Sequence, residues 1–144
     1  MVSFSVVIPT RNRTAFLRQA IASVLAQTHG AMEIIVVDDG AGAAQALKDT
    51  SPLLRVFDNR ERGPVPARNL GFAQAQGDVI AFLDDDDWWT DRDYLSLASQ
   101  AFENGAALCF GDGIMAFEDG RQQASFAFDA DAKSLERDNT ILIS

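Results

Sequence analysis

The chain has 144 residues, 47% of them apolar and 23% charged, and its 21 acids against 12 bases give a formal net charge of −9. That length and composition fit one globular domain, and the acidic balance speaks against a nucleic-acid partner, which needs a basic patch. A single cysteine, Cys109, excludes a disulfide framework, and no apolar run approaches the length that spans a bilayer.

Residues 3–8 are β-branched and apolar up to Pro9, which predicts a buried strand stopped by the proline. Phe16, Leu17, Ala20, Ile21, Val24 and Leu25 then recur at helical spacing and form one apolar face, with Thr14 or Asn12 available as the cap. Residues 33–37 predict a second strand, closed by Asp38-Asp39-Gly40, and residues 43–48 a short Ala-rich helix. A third strand is expected at 53–57, followed by a polar loop, 58–66, that carries Arg60, Arg62, Gly63, Pro64 and Pro66. Residues 67–75 read as a helix and 78–83 as a fourth strand.

That strand runs into four consecutive aspartates, Asp84, Asp85, Asp86 and Asp87, and then Trp88-Trp89. Such a run usually faces water. Here the apolar strand in front and the tryptophans behind favour a built site: like charges repel, and a hard divalent cation bound by carboxylate oxygens removes that penalty. Asp87 is expected to cap the next turn, and at least one of the two tryptophans to pack in the core. A helix over 91–104 should bury Tyr94, Leu97, Ala98, Ala101 and Phe102. Short strands at 107–110 and 114–117, a turn at Glu118-Asp119-Gly120 and a return over 121–128 suggest a hairpin. Residues 130–137 are weakly helical and 140–143 form an apolar stub. Cys109, in an apolar run, reads as a buried packing residue.

Alternation of strand and helix through the first hundred residues predicts an α/β fold with a mostly parallel sheet and helices on both faces, and short antiparallel strands near the C-terminus. Right-handed crossovers put the loops after each strand on one edge, where open α/β sheets bind their ligands. That edge gathers Pro9, Thr10, Arg11 and Asn12, then Asp38 and Asp39, then residues 58–62, then Asp84–Asp87. Carboxylates suit a metal or ribose hydroxyls, and arginines suit phosphate oxygens. A nucleotide diphosphate with its metal satisfies all of them.

Four segments carry a resemblance: Ser5-Val6-Val7-Ile8-Pro9-Thr10-Arg11-Asn12-Arg13; Glu33-Ile34-Ile35-Val36-Val37-Asp38-Asp39-Gly40; Gly63 with Ala67-Arg68-Asn69-Leu70-Gly71 and Gly77-Asp78; and Phe82-Leu83-Asp84-Asp85-Asp86-Asp87-Trp88. In this order they resemble the nucleotide-binding half of a family 2 glycosyltransferase of GT-A fold, over residues 3 to 95. The resemblance implies one GT-A-like domain over 1–144, with 1–95 the donor-binding core and 105–144 an incomplete acceptor half. It implies transfer of a sugar from a nucleotide diphosphate donor, UDP by family habit, to a saccharide or other hydroxyl acceptor with inversion, dependent on Mn²⁺ or Mg²⁺. Asp86, with Asp84, matches the metal-binding position, and Asp84 and Asp85 lie near the ribose and metal. Asp39 matches the base contact beside Asp38, and Pro9, Thr10, Arg11 and Asn12 line the base pocket. Arg62 and Arg68 match diphosphate contacts or supports of the loop.

The family's general base lies well after its Asp-x-Asp element. Glu118-Asp119 follows that element too closely, so the catalytic residue is left unassigned and the chain reads as a fragment or truncated product. A non-catalytic nucleotide-sugar-binding module is the alternative. A dinucleotide fold is disfavoured, since Gln45 stands where the Gly40–Gly42 pattern needs its third glycine. An EF-hand fails at Trp89. His29, the only histidine, reads as a surface residue at a helix end, which argues against a histidine-based zinc site. Arg11 and Arg13 follow the first apolar stretch instead of preceding it, unlike a signal peptide. The expected location is the cytoplasm, with peripheral membrane association left open.

Overall fold

The computed structural model describes residues 1–125; Met1–Gly105 form one unit and the described residues from Ala106 onward belong to a second, each taken separately below. Strand β1 (Phe4–Thr10), helix α1 (Thr14–Leu25), β2 (Glu33–Asp38), a short 3-10 helix (Ala43–Leu47), β3 (Leu54–Asp58), α2 (Pro64–Gln74), β4 (Val79–Phe82) and α3 (Tyr94–Glu103) make up the first unit. Its four strands are parallel in the order β3-β2-β1-β4. The predicted parallel α/β sheet is therefore the observed one, with the antiparallel pair β5 (Gly113–Ala116) and β6 (Gln122–Ser125) in the second unit.

Both faces of the sheet are apolar, as parallel strands require. Val7, Ile35 and Val37 form one cluster with Ala67 of α2. The alternate residues Val6, Ile8, Ile34 and Val36 point the other way and are equally buried. On that side α1 packs against β1 and buries Leu17, Ala20, Ile21 and Val24, and the Phe4 ring meets Phe102 of α3 edge-on at 6.4 Å. Full burial of each such aliphatic side chain is worth roughly 1.5–3 kcal/mol. Gly71 lets α2 lie close to the sheet, because a methyl group there would run into the Val7 side chain.

Several boundaries differ from expectation, each for a local reason. Strand β1 does not stop at Pro9 but runs through it. Val7 O accepts from Leu83 N and Thr10 O from Asp39 N, so by alternation the missing N–H of Pro9 faces the β4 side, past the last paired residues Val7 and Phe82. Helix α2 begins three residues early, since Pro64 after Gly63 sits in the first turn, where a proline's missing donor costs nothing.

Neither Thr14 nor Asn12 caps α1; Arg13 is the cap residue and makes no side-chain cap bond. Phe16 and Leu25 are exposed, leaving a narrower buried stripe than predicted. Helix α3 starts at Tyr94 because the preceding segment is tied to the end of α1: Thr28 N donates to Arg92 O, and Gln27 Nε2 to Asp91 O. Its buried stripe is Leu95, Ala98 and Ser99, and Leu97 is exposed. Residues 107–110 form no strand, and Cys109 is only half-buried, its thiol pKa pushed up by burial. The expected segments at 130–137 and 140–143, and the end of the predicted return strand, lie outside the described residues.

At the N-terminal edge of the sheet Glu33 is buried. It accepts from Ser5 Oγ at 2.7 Å and Gln76 N at 2.7 Å and pairs with Arg55. Burial alone would raise its pKa, but these bonds and the arginine bring it below the usual value. Among the described residues no helix is long and apolar enough to cross a membrane.

Candidate functional site

Register places the strand ends together. Thr10 pairs with Asp38 and Asp38 with Asp58, so the loops after β1, β2 and β3 leave one edge side by side. The loop after β4 joins them through Thr10, whose Oγ1 donates to Asp85 Oδ2 at 2.7 Å.

Asp38 and Asp39 have separate tasks. Asp38 is 3% exposed, and its two oxygens accept from Gly40 N at 2.7 Å and Ala44 N at 2.9 Å. It shapes the loop. Asp39 sits at the junction of three loops: its N donates to Thr10 O, and its Oδ1 accepts from Asn59 Nδ2 at 2.7 Å and Gly63 N at 2.8 Å. Its Oδ2 has no partner among the described residues.

Two residues at this edge hold a positive φ without being glycine, Asn12 at 58° and Arg62 at 57°. Such backbone persists where surrounding bonds hold it. Asn12 Oδ1 accepts from Ala41 N at 3.1 Å, and Arg62 Nη1 donates to Asp39 O at 2.7 Å and Gly40 O at 3.1 Å. Arg62 thus braces the loop, with its guanidinium at the surface. Arg11 is exposed and forms no ion pair among the described residues. Pro9 is half-buried in β1.

The acidic run is held by arginines. Arg68 Nη2 pairs with Asp84 Oδ1, Arg13 Nη1 with Asp86 Oδ2, and Arg13 Nη2 with Asp85 Oδ1 at 3.1 Å. Asp85 is 1% exposed, whereas the side chains of Asp84 and Asp86 are 28% and 46% exposed. Three carboxylates meet two guanidinium groups, which leaves an excess of one negative charge. Arg68 Nε is buried with no hydrogen-bond partner, so the site holds a donor still in want of an acceptor.

Among the described residues no three His, Cys, Asp or Glu side chains gather closely enough to hold an ion unaided. The second carboxylate oxygens of Asp84 and Asp86 have no partner among the described residues. Hard divalent ions such as Mg²⁺ are commonly held in this way, by one or two carboxylates with phosphate oxygens from the substrate. The donor set therefore fits a divalent cation that arrives with a phosphorylated ligand.

Trp89 is half-buried and stacks on Tyr94 with ring centroids 4.9 Å apart, its backbone N donating to Ser23 Oγ, and Trp88 is exposed, so neither tryptophan joins the buried core as expected. His29 is half-buried, with Nε2 3.0 Å from Val2 O, far from this edge in the chain's own bonding. Neither Arg13 nor Asn59 was singled out by sequence reasoning. Arg13 ends the first motif and carried a signal in its place directly after the loop. Asn59 follows a strand in a polar loop and looks like any loop asparagine until its bond to Asp39 is seen.

The sequence model of glycosyl transferase family 2 matches residues 5–140. The chain belongs to that family. This family 2 glycosyltransferase chain is 32% identical, over 98% of its length and 46% of the other protein's, to a Campylobacter jejuni protein named GalNAc(5)-diNAcBac-PP-undecaprenol beta-1,3-glucosyltransferase. It is 42% identical over 58% of its length to an uncharacterized glycosyltransferase of Rickettsia felis, of which it spans 14%. The crystal structure of S. aureus TarS 1-349 in complex with UDP-GlcNAc aligns with a TM-score of 0.64 and 26% identity, over 71% of this chain and 31% of that one. The chain thus spans less than half the length of each of these relatives, and the GT-A fold expected from the motifs is that of its structural neighbours.

Proposed function

We propose that this chain carries the donor site of an enzyme that transfers a sugar from a nucleotide diphosphate to an acceptor hydroxyl with inversion. One observation carries the reading: Asp39 presents a free oxygen at the same sheet edge where Asp84 and Asp86 keep free oxygens beside Arg13 and Arg68. In this reading residues 1–95 form the donor-binding core and 105–144 belong to the acceptor half. Asp39 accepts a ring N–H of the base, with Pro9, Thr10, Arg11 and Asn12 around it and Asp38 behind it. Arg62 and Arg68 face the diphosphate or support its loop.

Asp86 and Asp84 would hold the divalent cation, Mn²⁺ or Mg²⁺, and Asp85 stands near the ribose. A cation there supplies Lewis-acid stabilisation of the departing diphosphate. The acceptor oxygen attacks the anomeric carbon from the face opposite the diphosphate. The old C–O bond breaks with its electrons on the leaving group, and the hydroxyl proton passes to a general base. We assign that base to none of the described residues. The UDP-GlcNAc complex of the TarS relative supports UDP as the first nucleotide to try.

Calorimetric titration of UDP and then GDP, with Mn²⁺ and again with EDTA, tests the reading. Metal-dependent binding of one nucleotide is expected. Binding of neither, or equal affinity in EDTA, would sink the donor site or its metal respectively.

A further inference from the structure

Asp39 has two carboxylate oxygens in unlike surroundings. Oδ1 accepts from Asn59 Nδ2 at 2.7 Å and from Gly63 N at 2.8 Å, and Oδ2 accepts from no described residue. A carboxyl group free to rotate about its last torsion would average its two oxygens. Two donors on one oxygen stop that and fix the plane of the group. Of the two, Asn59 is the one supplied by a side chain, and mutation can remove it.

Asn59 is itself tightly placed. It is 5% exposed, its backbone N donates to Asp38 O at 2.8 Å, and its amide also donates to Gly63 O at 3.0 Å. Both donor protons of Nδ2 are thereby used, which sets the amide's orientation without a further partner. A buried amide whose two donor protons are both used in this way is held in one orientation. Its two bonds converge on the acid and on the glycine that holds that acid's other donor.

We infer that Asn59 is a positioning residue for base recognition: it locks Asp39 so that Oδ2 faces outward as an acceptor for a nucleobase ring N–H. The inference rests on the donor-site reading above. The class of ligand follows from the chemistry of a single outward acceptor: bases with a ring N–H beside a carbonyl, uracil or guanine, match it. Adenine and cytosine present a ring acceptor at the corresponding edge.

The test compares wild type, Asn59→Ala and Asp39→Ala for binding of UDP (or GDP, if that is the nucleotide bound) and of inorganic diphosphate, all with Mn²⁺. Thermal unfolding and circular dichroism check that each variant is folded. Asn59→Ala should lose roughly tenfold in nucleotide affinity, the scale of one charge-assisted hydrogen bond, and keep its diphosphate affinity. In the Asp39→Ala background the same substitution should change nothing further, because the group it positions is gone.

Equal loss of nucleotide and diphosphate would assign Asn59 to bracing the loop and overturn the inference. So would full nucleotide affinity in Asn59→Ala while Asp39→Ala loses it, an outcome that leaves the donor-site reading standing. Failure of the wild-type protein to bind any nucleotide would overturn both.

Discussion

Arg13 holds Asp85 and Asp86 at once, one guanidinium nitrogen on each carboxylate, across 73 residues of chain. The fork geometry of arginine makes this double contact. Asp85, almost wholly buried, has Thr10 as its other partner. Arg13→Ala should therefore destabilise the fold by roughly 1–2 kcal/mol, below the cost of breaking a fully buried pair because Arg13 is half-exposed. Arg13→Lys should recover only part of that, since an ammonium does not span both acids. Urea denaturation of the three proteins checks the order, and equal stability of Arg13→Ala and wild type would contradict it.

Asp86 differs from its neighbour in exposure. Its side chain is 46% exposed, against 1% for Asp85. Asp86→Ala should leave the unfolding midpoint nearly unchanged and remove metal-dependent nucleotide binding. Titration of UDP with Mn²⁺ into the folded variant reads this directly. An unaltered affinity would remove Asp86 from the metal-binding pair.

Helix α2 rests on β1 through Gly71, where a methyl group would meet the Val7 side chain. Alanine gains up to about 1 kcal/mol of helix propensity over glycine, but overpacking a filled core costs about 1–3 kcal/mol. Gly71→Ala should be destabilising on balance. Adding Val7→Ala should make the double variant more stable than the sum of the two single losses. Strict additivity in the double-mutant cycle would show that α2 simply shifts to accommodate the methyl.

Glu33 supplies a pH dependence with a defined sign. Its folded pKa lies below the unfolded value, which is about 4.3 for a free glutamate. The stability it contributes is complete above that value and is lost as pH falls through the lower folded pKa. Glu33→Gln should cost roughly 1–3 kcal/mol at neutral pH, and the gap to wild type should narrow in acid. Chemical denaturation at pH 7 and near pH 3 tests it; a gap that widens in acid would mean that Arg55 and Ser5 do not favour the ionised form.

Much of this protein is set by local sequence. Alternating apolar runs and turn residues specify the parallel α/β sheet, because side-chain period and backbone propensity act over a few residues. They also place Asp39 and Asp84–Asp86 at strand ends, since right-handed crossovers send every loop to one edge. Boundaries slipped where a residue's local reading was ambiguous: Pro9 and Pro64 both look like breakers, yet each stands where its missing N–H has no partner to lose.

Partner choice belongs to the tertiary structure. From sequence Asp38 and Asp39 are equivalent neighbours, and only the fold turns Asp38 onto the backbone of its own loop and Asp39 toward Asn59 and Gly63. The acidic run predicts repulsion, and only the fold brings Arg13 and Arg68 to relieve most of it. The ion pairs of the acidic run span 16 to 73 residues of chain. Hydrogen bonds and ion pairs are decided within about 3 Å, and distances on that scale between remote loops are fixed by the packing of the sheet beneath them.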